Sequence, residues 1–243
     1  MTRIALPLIV AACLGLFATL VADEAKTAAE SRAATIKALE EFNALVGGWR
    51  GVGQPVRNST KGAWSETAEW VWEIKKDRVG IRYAVTNGKQ LADALLSFDP
   101  KQNLYTLTAT LPDKSQRLYT GKFADGKLLL ESPADADGNI HQVRITLLND
   151  KRTLVLFQSR KAEQQQFTRI AEVGYTREGT RLAIEGQDGP VCIVTGGKGT
   201  STVSYKGQTY YVCCTGCRDA FNDDPETILA EAARKRDAAK KGK

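Results

Sequence analysis

The segment from Ala25 to Leu45 repeats apolar residues at the three- and four-residue spacing of a helix. It is rich in Ala, Glu and Lys, which favour helical backbone. The apolar positions form a single stripe, and they are Ala33, Ile36, Leu39, Phe42 and Leu45. Gly47 and Gly48 follow, and glycine supplies the positive φ angle that ends many helices. We therefore expect one N-terminal helix within residues 23–46.

Between residues 47 and 180 the pattern changes to short β-prone runs in which apolar and polar positions alternate. Such runs lie near residues 49–54, 64–75, 78–85, 92–98, 104–111, 116–123, 127–132, 141–148, 153–160 and 167–176. The dipeptides Asn87-Gly88, Asp125-Gly126 and Asp137-Gly138 favour tight hairpins between them. Successive strands are therefore expected to be antiparallel neighbours. A meander barrel is the most economical closure for these strands, and a sandwich is the alternative.

The start of the first predicted strand carries a resemblance. Residues 45–53, LVGGWRGVG, resemble the Gly-x-Trp start of lipocalin-like barrels, including the nitrobindin-like group. The resemblance implies a mainly β fold in which Trp49 plugs the closed end of a lipocalin-like barrel over residues 47–180. Nitrobindin-like barrels hold haem through a histidine near the end of the barrel. Residues 167–180 contain no histidine, so we do not expect haem.

The first 22 residues determine the expected compartment. Arg3 precedes an apolar run, residues 4–21, that contains no charged side chain. This is the arrangement of a signal peptide, and cleavage after Ala22 would release the mature chain. Residues 10–13, Val-Ala-Ala-Cys, also resemble a bacterial lipobox, so the alternative is a lipoprotein anchored to the membrane through Cys13. In both cases we expect a secreted or exported protein in the periplasm or cell envelope.

Charge and composition narrow the classes of partner. The chain has 42% apolar and 26% charged residues over 243 positions, which is typical of a globular protein. Its formal net charge is +6, and part of the excess lies in the basic segment 234–243. Lys and Arg at the end of a helix complement its negative terminus, so a solvated tail explains them. Export argues against nucleic acid, and the sequence identifies no protein partner.

The last quarter of the chain holds four cysteines with the spacing Cys-x20-Cys-Cys-x2-Cys, and they are Cys192, Cys213, Cys214 and Cys217. Residues 181–190 predict a linker before a second small domain, 191–243. Two β-prone runs around Lys206-Gly207 predict a hairpin, and residues 221–241 predict a helix with Pro225 near its start. We expect a zinc-ribbon or treble-clef-like arrangement that gathers the four thiols. Soft sulfur donors favour zinc or copper(I).

Three segments of this domain resemble the YHS domain, and they are residues 192–196 (CIVTG), residues 205–214 (YKGQTYYVCC) and Cys217 with Phe221 and Pro225. That family overlaps the TRASH group, which is named for metal trafficking, resistance and sensing. Its cysteine signature fits Cys192, Cys213 and Cys217 directly. The resemblance implies that these three cysteines are metal ligands and that Cys214 is the adjacent cysteine of the Cys-Cys-x-x-Cys form.

Two alternatives to a metal site stay open at this point. An exported protein meets an oxidising environment, and four cysteines can form two disulfides in three different pairings. The Cys214-x-x-Cys217 pair also has the spacing of a redox motif.

The sequence contains no arrangement that is typical of catalysis, and we expect no enzymatic activity. His141 is the only histidine, which we expect to be a strand residue. Residues 135–139 lack the glutamate that completes a calcium loop, so they predict a hairpin turn. Glu66, Glu69 and Glu73 are expected on the solvated face of their strand. The tryptophans are expected to be core residues, with a ligand cavity as the alternative, and they are Trp49, Trp64, Trp70 and Trp72.

The functional hypothesis is an exported heavy-metal-binding protein that holds zinc or copper(I) through Cys192, Cys213, Cys214 and Cys217. Trafficking, sensing or resistance would be its role. The alternative is a barrel that binds a small apolar ligand, with the cysteine domain as a disulfide-stapled appendage.

Overall fold

The computed structural model describes residues 27–178 and 190–241. The expected signal peptide, residues 1–22, lies outside the described residues, together with Cys13 and both processing sites. Residues 181–189 of the expected linker also lie outside them. Among the helices that the structure describes, none is long and apolar enough to cross a membrane.

The N-terminal helix forms as the sequence predicts. An α-helix, α1, covers residues 27–39 and continues directly as a 3₁₀ helix, Glu40–Leu45. Leu39, Phe42 and Leu45 are fully buried, so the predicted apolar stripe faces the core. Residues three apart lie on the same side of a 3₁₀ helix. The change of helix type therefore places both Phe42 and Leu45 against the barrel that follows.

Ten strands form one closed antiparallel barrel. Each strand pairs with the next along the chain, and β1 pairs with β10 to close the sheet. The strands are β1 Gly47–Gln54, β2 Trp64–Ile74, β3 Val79–Thr86, β4 Asp93–Asp99, β5 Leu104–Thr110, β6 Gln116–Ala124, β7 Lys127–Glu131, β8 Asn139–Asn149, β9 Arg152–Lys161 and β10 Thr168–Arg177. The meander barrel predicted from alternation and turn dipeptides is confirmed.

The 3₁₀ helix covers one end of the barrel, which we name the closed end. Trp49 lies there with 1% of its surface exposed, and its Nε1 donates to the carbonyl of Leu45 at 2.6 Å. The guanidinium of Arg177 packs over the Trp49 ring at 4.4 Å. The Tyr105 hydroxyl donates to the carbonyl of Ala38 at 3.0 Å. The opposite end, which we name the mouth, is bordered by the loops that follow β1, β3, β5, β7 and β9.

The chain after the barrel folds into a hairpin and two helices, which we name the cysteine module (residues 190–241). Its elements are β11 Ser201–Tyr205, β12 Gln208–Val212, α2 Thr215–Asp223 and α3 Pro225–Lys241. The predicted hairpin is confirmed. The single helix predicted over residues 221–241 is instead two helices, because Asp224 leaves helical geometry with φ −149° and ψ 73°. Proline fits the first position of the next helix, which starts at Pro225.

The cysteine module packs against the closed end of the barrel. Helix α2 lies on β2, where Gly216 meets the backbone of Trp72. Asn43 of the 3₁₀ helix joins the two parts, because its Oδ1 accepts from Trp72 Nε1 at 3.1 Å and its Nδ2 donates to the Thr195 carbonyl at 2.8 Å. Buried residues of the module and of the barrel belong to one continuous hydrophobic core.

Candidate metal centre

A tight turn at the start of the module positions Cys192. Its N–H donates to the Gly197 carbonyl at 2.7 Å, and its carbonyl accepts from the N–H of Gly196 at 2.9 Å. Gly196 has a φ angle of 75°, which costs glycine little. The N–H of Ile193 then donates to the Tyr211 carbonyl of β12 at 2.8 Å. These bonds hold Cys192 beside the second strand of the hairpin.

The other three cysteines follow where β12 leads into α2. Cys213 comes directly after the last residue of β12. Cys214 is the N-cap residue of α2, with extended backbone angles of −161° and 173°, and Cys217 lies in the first helical turn. The hairpin and the start of the helix therefore bring these residues to the turn that carries Cys192, as the sequence predicts.

Three thiol sulfurs meet at this point. The Sγ atoms of Cys192, Cys213 and Cys217 all lie within 4.8 Å of one another, and those of Cys213 and Cys217 are 3.5 Å apart. The three residues are 2%, 7% and 0% exposed. Thiolates that share one tetrahedral ion at about 2.3 Å lie about 3.8 Å from one another. The sulfur atoms are thus close to the arrangement that a shared soft metal ion requires.

Cys214 lies beside this group and makes different contacts. Its Sγ is 3.9 Å from that of Cys213, and the residue is half-buried. Its sulfur also accepts hydrogen bonds from the backbone N–H groups of Cys217 and Trp72. The sequence groups all four cysteines as metal ligands, whereas only Cys192, Cys213 and Cys217 form the mutually close set. A ligand role for Cys214 stays a prediction.

Hydrogen bonds among the thiols shift their pKa values in opposite directions. Those with Cys213 and Cys217 hold the pKa of Cys192 well below its usual range, despite its burial. The bond to Cys192 is also the first cause that raises the pKa of Cys213 and that of Cys217, and burial adds to it. The bond from Cys213 is likewise the first cause that lowers the pKa of Cys214. Loss of a proton is therefore easier at Cys192 and Cys214 than at Cys213 and Cys217.

Thr195 is a residue of the site that the sequence reasoning missed. It is 1% exposed, and its Oγ1 lies 3.6 Å from the Sγ of Cys213 and 3.9 Å from that of Cys217. It also hydrogen-bonds to Cys192 and lowers the pKa of that thiol. The signal for it in the sequence is its position in the turn just after Cys192. Its closeness to the sulfurs of Cys213 and Cys217 depends on the fold and could not be predicted.

All four cysteines of the module are free thiols. The 3.5 Å between the Sγ atoms of Cys213 and Cys217 exceeds the 2.05 Å or so of a disulfide bond. A buried cluster of soft sulfur donors matches the preference of zinc and copper(I) for thiolates. The donor set therefore fits a thiophilic ion held by Cys192, Cys213 and Cys217.

Glu66 is the second buried site, and its predicted place on the solvated face is wrong. Along β2 the even-numbered residues face the barrel interior, and Glu66 is 6% exposed. One carboxyl oxygen accepts from Trp64 Nε1 at 2.5 Å, and the other accepts from the hydroxyl of Tyr175. The hydroxyls of Tyr175 and Tyr83 are 2.5 Å apart. Burial raises the pKa of both tyrosines, so both remain phenols.

Most of the remaining candidates behave as the sequence predicts. Trp49, Trp70 and Trp72 are core residues, each 1% exposed, whereas Trp64 is only half-buried and packs against the core. His141 lies in β8 at the mouth, where its Nε2 is 2.9 Å from Asp135 Oδ2. The segment 135–139 is a hairpin turn, and Asp135 accepts hydrogen bonds from within it rather than presenting its oxygens to an ion.

The comparisons with known proteins address the two parts of the chain separately. Among solved structures, the S-type phycobiliprotein lyase CPES from Guillardia theta is similar to this chain at 13% identity, with a TM-score of 0.38. The match covers 59% of this chain and 94% of that one. No curated protein matches the chain. Residues 190–230 match the YHS domain, which confirms the resemblance that the cysteine spacing indicated.

Proposed function

We propose that this chain is an exported metal-binding protein whose cysteine module binds one zinc or copper(I) ion through Cys192, Cys213 and Cys217. The observation that carries the proposal is the meeting of three buried thiol sulfurs within 4.8 Å in a segment that matches the YHS domain. Thiolates are the ligands that these ions prefer over oxygen donors.

Binding exchanges thiol protons for the ion, because only the thiolate is a metal ligand. The N-terminus of α2 assists, since Cys217 lies in its first turn, where helical N–H groups favour negative charge. Once the sulfurs are thiolates they can only accept, so the hydroxyl of Thr195 would donate to them and limit the repulsion among them. Cys214 is the protein ligand closest at hand for a fourth position, and water is the alternative.

The depth of the site supports a role in retaining metal. The three ligands are at most 7% exposed, so an ion must pass the half-buried Cys214 or move the module away from the barrel. Release would then depend on the contact between α2 and β2. We assign the protein to metal trafficking, sensing or resistance in the periplasm or cell envelope, and the apolar run at residues 4–21 supports export.

Elemental analysis and thiol titration of the purified protein test the proposal. We expect stoichiometric zinc or copper in the wild type, and four reactive thiols in the module after chelation under anaerobic conditions. The double variant Cys213→Ser, Cys217→Ser should bind no metal. Two disulfides and no metal in the wild type would instead support the alternative, in which the module is a stapled appendage to a ligand-binding barrel.

The single variant Cys214→Ser is the matched control, because it changes the neighbouring cysteine and leaves the three close sulfurs intact. Retained stoichiometry with a modest loss of affinity indicates a site of three thiolates. Complete loss of metal indicates that Cys214 is the fourth ligand. Gel filtration and circular dichroism of each variant verify that the module is folded.

A further inference from the structure

The mouth of the barrel contains a cavity of about 330 Å³ that lies at the opposite end from the cysteines. Its volume is at the small end of the range for ligand sites, which is about 300–1,000 Å³. Apolar and polar groups line it together, among them Leu111, Arg117, Tyr119, Phe157 and Ile170. The cavity is independent of the metal site.

Arg117 faces this cavity from inside the barrel. On β6, Arg117 and Tyr119 occupy inward positions two residues apart, and Tyr119 is 3% exposed. The cross-strand partner of Arg117 is Ala109, a fully buried residue of the interior. Arg117 is half-buried, so its guanidinium is partly withdrawn from water, and a bound anion would replace the hydration that it loses.

The guanidinium has spare hydrogen-bonding capacity. It donates to the Tyr119 hydroxyl at 3.4 Å, and in the part of the chain that the structure describes no carboxylate forms an ion pair with it. Asp113 of the β5–β6 turn is attracted to Arg117 electrostatically, but its carboxylate makes its hydrogen bonds with the N–H and hydroxyl of Ser115, at 2.9 and 2.6 Å. Most of the five donors of Arg117 remain for a ligand.

The groups around Arg117 favour a particular ligand. Burial raises the pKa of Tyr119, so its hydroxyl stays protonated and can donate alongside the guanidinium. On the rim, Lys89 adds a second positive charge, with its Nζ 5.1 Å from the Trp64 ring. Phe157 and Ile170 provide apolar wall, and Ile170 is 37% exposed. A planar anion with an apolar body satisfies Arg117, Tyr119 and the apolar side chains at once.

We propose that the mouth binds a small apolar carboxylic acid, with its carboxylate on Arg117 and Tyr119. The apolar body of the ligand lies against Leu111, Phe157 and Ile170. The bidentate geometry of a guanidinium with a carboxylate gives the site its selectivity for an acid over an alcohol of the same length.

Titration calorimetry with octanoate and 1-octanol, in buffer that contains a chelator, tests this site. We expect octanoate to bind at least about tenfold more tightly than octanol, because a charge-assisted pair is lost in the alcohol. Arg117→Gln should weaken octanoate about tenfold and leave octanol unchanged, and Tyr119→Phe should weaken octanoate less. Arg50→Gln, on the exposed outer face of β1, is the matched control and should bind as the wild type does.

Several outcomes overturn the proposal. They are the absence of saturable octanoate binding, equal binding of the acid and the alcohol, and an Arg117→Gln variant that is folded and binds octanoate normally. If Arg117→Gln does not fold, an unchanged octanoate affinity in Tyr119→Phe would overturn the proposal instead. The Cys213→Ser, Cys217→Ser variant should bind octanoate like the wild type, and a loss there would place the carboxylate at the metal site instead.

Discussion

The two ends of the barrel differ in packing, because the closed end is filled by protein and the mouth is open. At the closed end, the 3₁₀ helix, Trp49 and the cysteine module fill the space, and the three close cysteines are at most 7% exposed. At the mouth, a cavity of about 330 Å³ remains, and the guanidinium of Arg117 turns into it. At the closed end, Asn43 and the thiols hydrogen-bond to other protein groups, whereas at the mouth Arg117 keeps N–H donors that are free for a ligand.

This difference predicts how the two ends respond to change. The proposed metal site shares its hydrophobic core with β2 and the 3₁₀ helix, so damage there should lower stability and metal affinity together. The mouth is lined by side chains whose loss leaves the cysteine module untouched. Substitutions at the mouth should therefore alter acid binding or local stability and leave the metal content unchanged.

Gly216→Ala should have the largest effect. A Cβ at Gly216 would overlap the backbone oxygen of Trp72, which cannot rotate away, so the free energy of unfolding should fall by roughly 3 kcal/mol. Helix propensity alone predicts the opposite, a gain of about 1 kcal/mol. Urea unfolding followed by tryptophan fluorescence distinguishes the two signs.

Gly174→Ala in β10 is the matched control for that experiment, because its Cβ would meet only Leu154 Cδ2 at 3.7 Å. It should change stability by no more than about 1 kcal/mol. If Gly216→Ala were as stable as the control, α2 would not press on β2, and the coupling of the module to the closed end would be refuted.

Asn43→Ala should have the next largest effect at the closed end. It leaves Trp72 Nε1 and the Thr195 carbonyl without their shared partner, which should cost about 2 kcal/mol of unfolding free energy. Metal affinity should fall with it, because Thr195 belongs to the site. Competition with a chelator measures the affinity, and the exposed Asn222→Ala in α2 is the control. If Asn43→Ala were less stable but bound metal with wild-type affinity, the predicted coupling between stability and metal binding would be wrong.

Tyr175→Phe tests the barrel interior away from the module. It removes the hydroxyl that donates to buried Glu66 and contacts Tyr83, so unfolding free energy should fall by about 1–2 kcal/mol. Metal content should not change, because Tyr175 and Glu66 lie in the barrel interior, away from the cysteine module. Tyr211→Phe, at a side chain 42% exposed, should be neutral in denaturant unfolding. A loss of metal in Tyr175→Phe would contradict the separation of the two ends.

Asp135→Asn at the mouth should have the smallest effect, and it should depend on pH. The hydrogen bond from His141, followed by those from Asn139, holds the pKa of Asp135 well below its usual 3.8. A lowered pKa stabilises the fold above the ordinary carboxyl range, and this contribution is lost as the pH falls through the folded-state value. Thermal unfolding of Asp135→Asn should therefore differ from wild type at neutral pH and converge in strong acid. Asp137→Asn changes an exposed acid of the same turn and is the control, which should unfold as the wild type does.

Local patterns were sufficient to predict most of the fold. Alternation and the turn dipeptides predict the antiparallel barrel, and the apolar stripe through Leu39 and Phe42 predicts the N-terminal helix. The two β-prone runs around Lys206-Gly207 predict the hairpin of the cysteine module. Helix α2 was not predicted because it is only nine residues long, is mostly polar, and starts among the cysteines, with Cys214 as its N-cap.

Contacts between distant segments could not be predicted in this way. Glu66 is a polar residue at an inward position, and only its meeting with Trp64 and Tyr175 explains why its burial is tolerated. Asn43 and Thr195 are 152 positions apart, and no local pattern relates them. The packing of the module on the barrel, which couples the cysteines to the core, is therefore a property of the tertiary structure alone.

X-ray absorption at the metal edge of the loaded protein tests the central claim most directly, because it counts the sulfur atoms around the ion. Binding by Cys192, Cys213 and Cys217 predicts three sulfur neighbours at about 2.3 Å, or four if Cys214 joins them, and their loss in Cys213→Ser, Cys217→Ser. A first shell of oxygen and nitrogen alone would contradict the claim, because the ion would then lie outside the cysteine module.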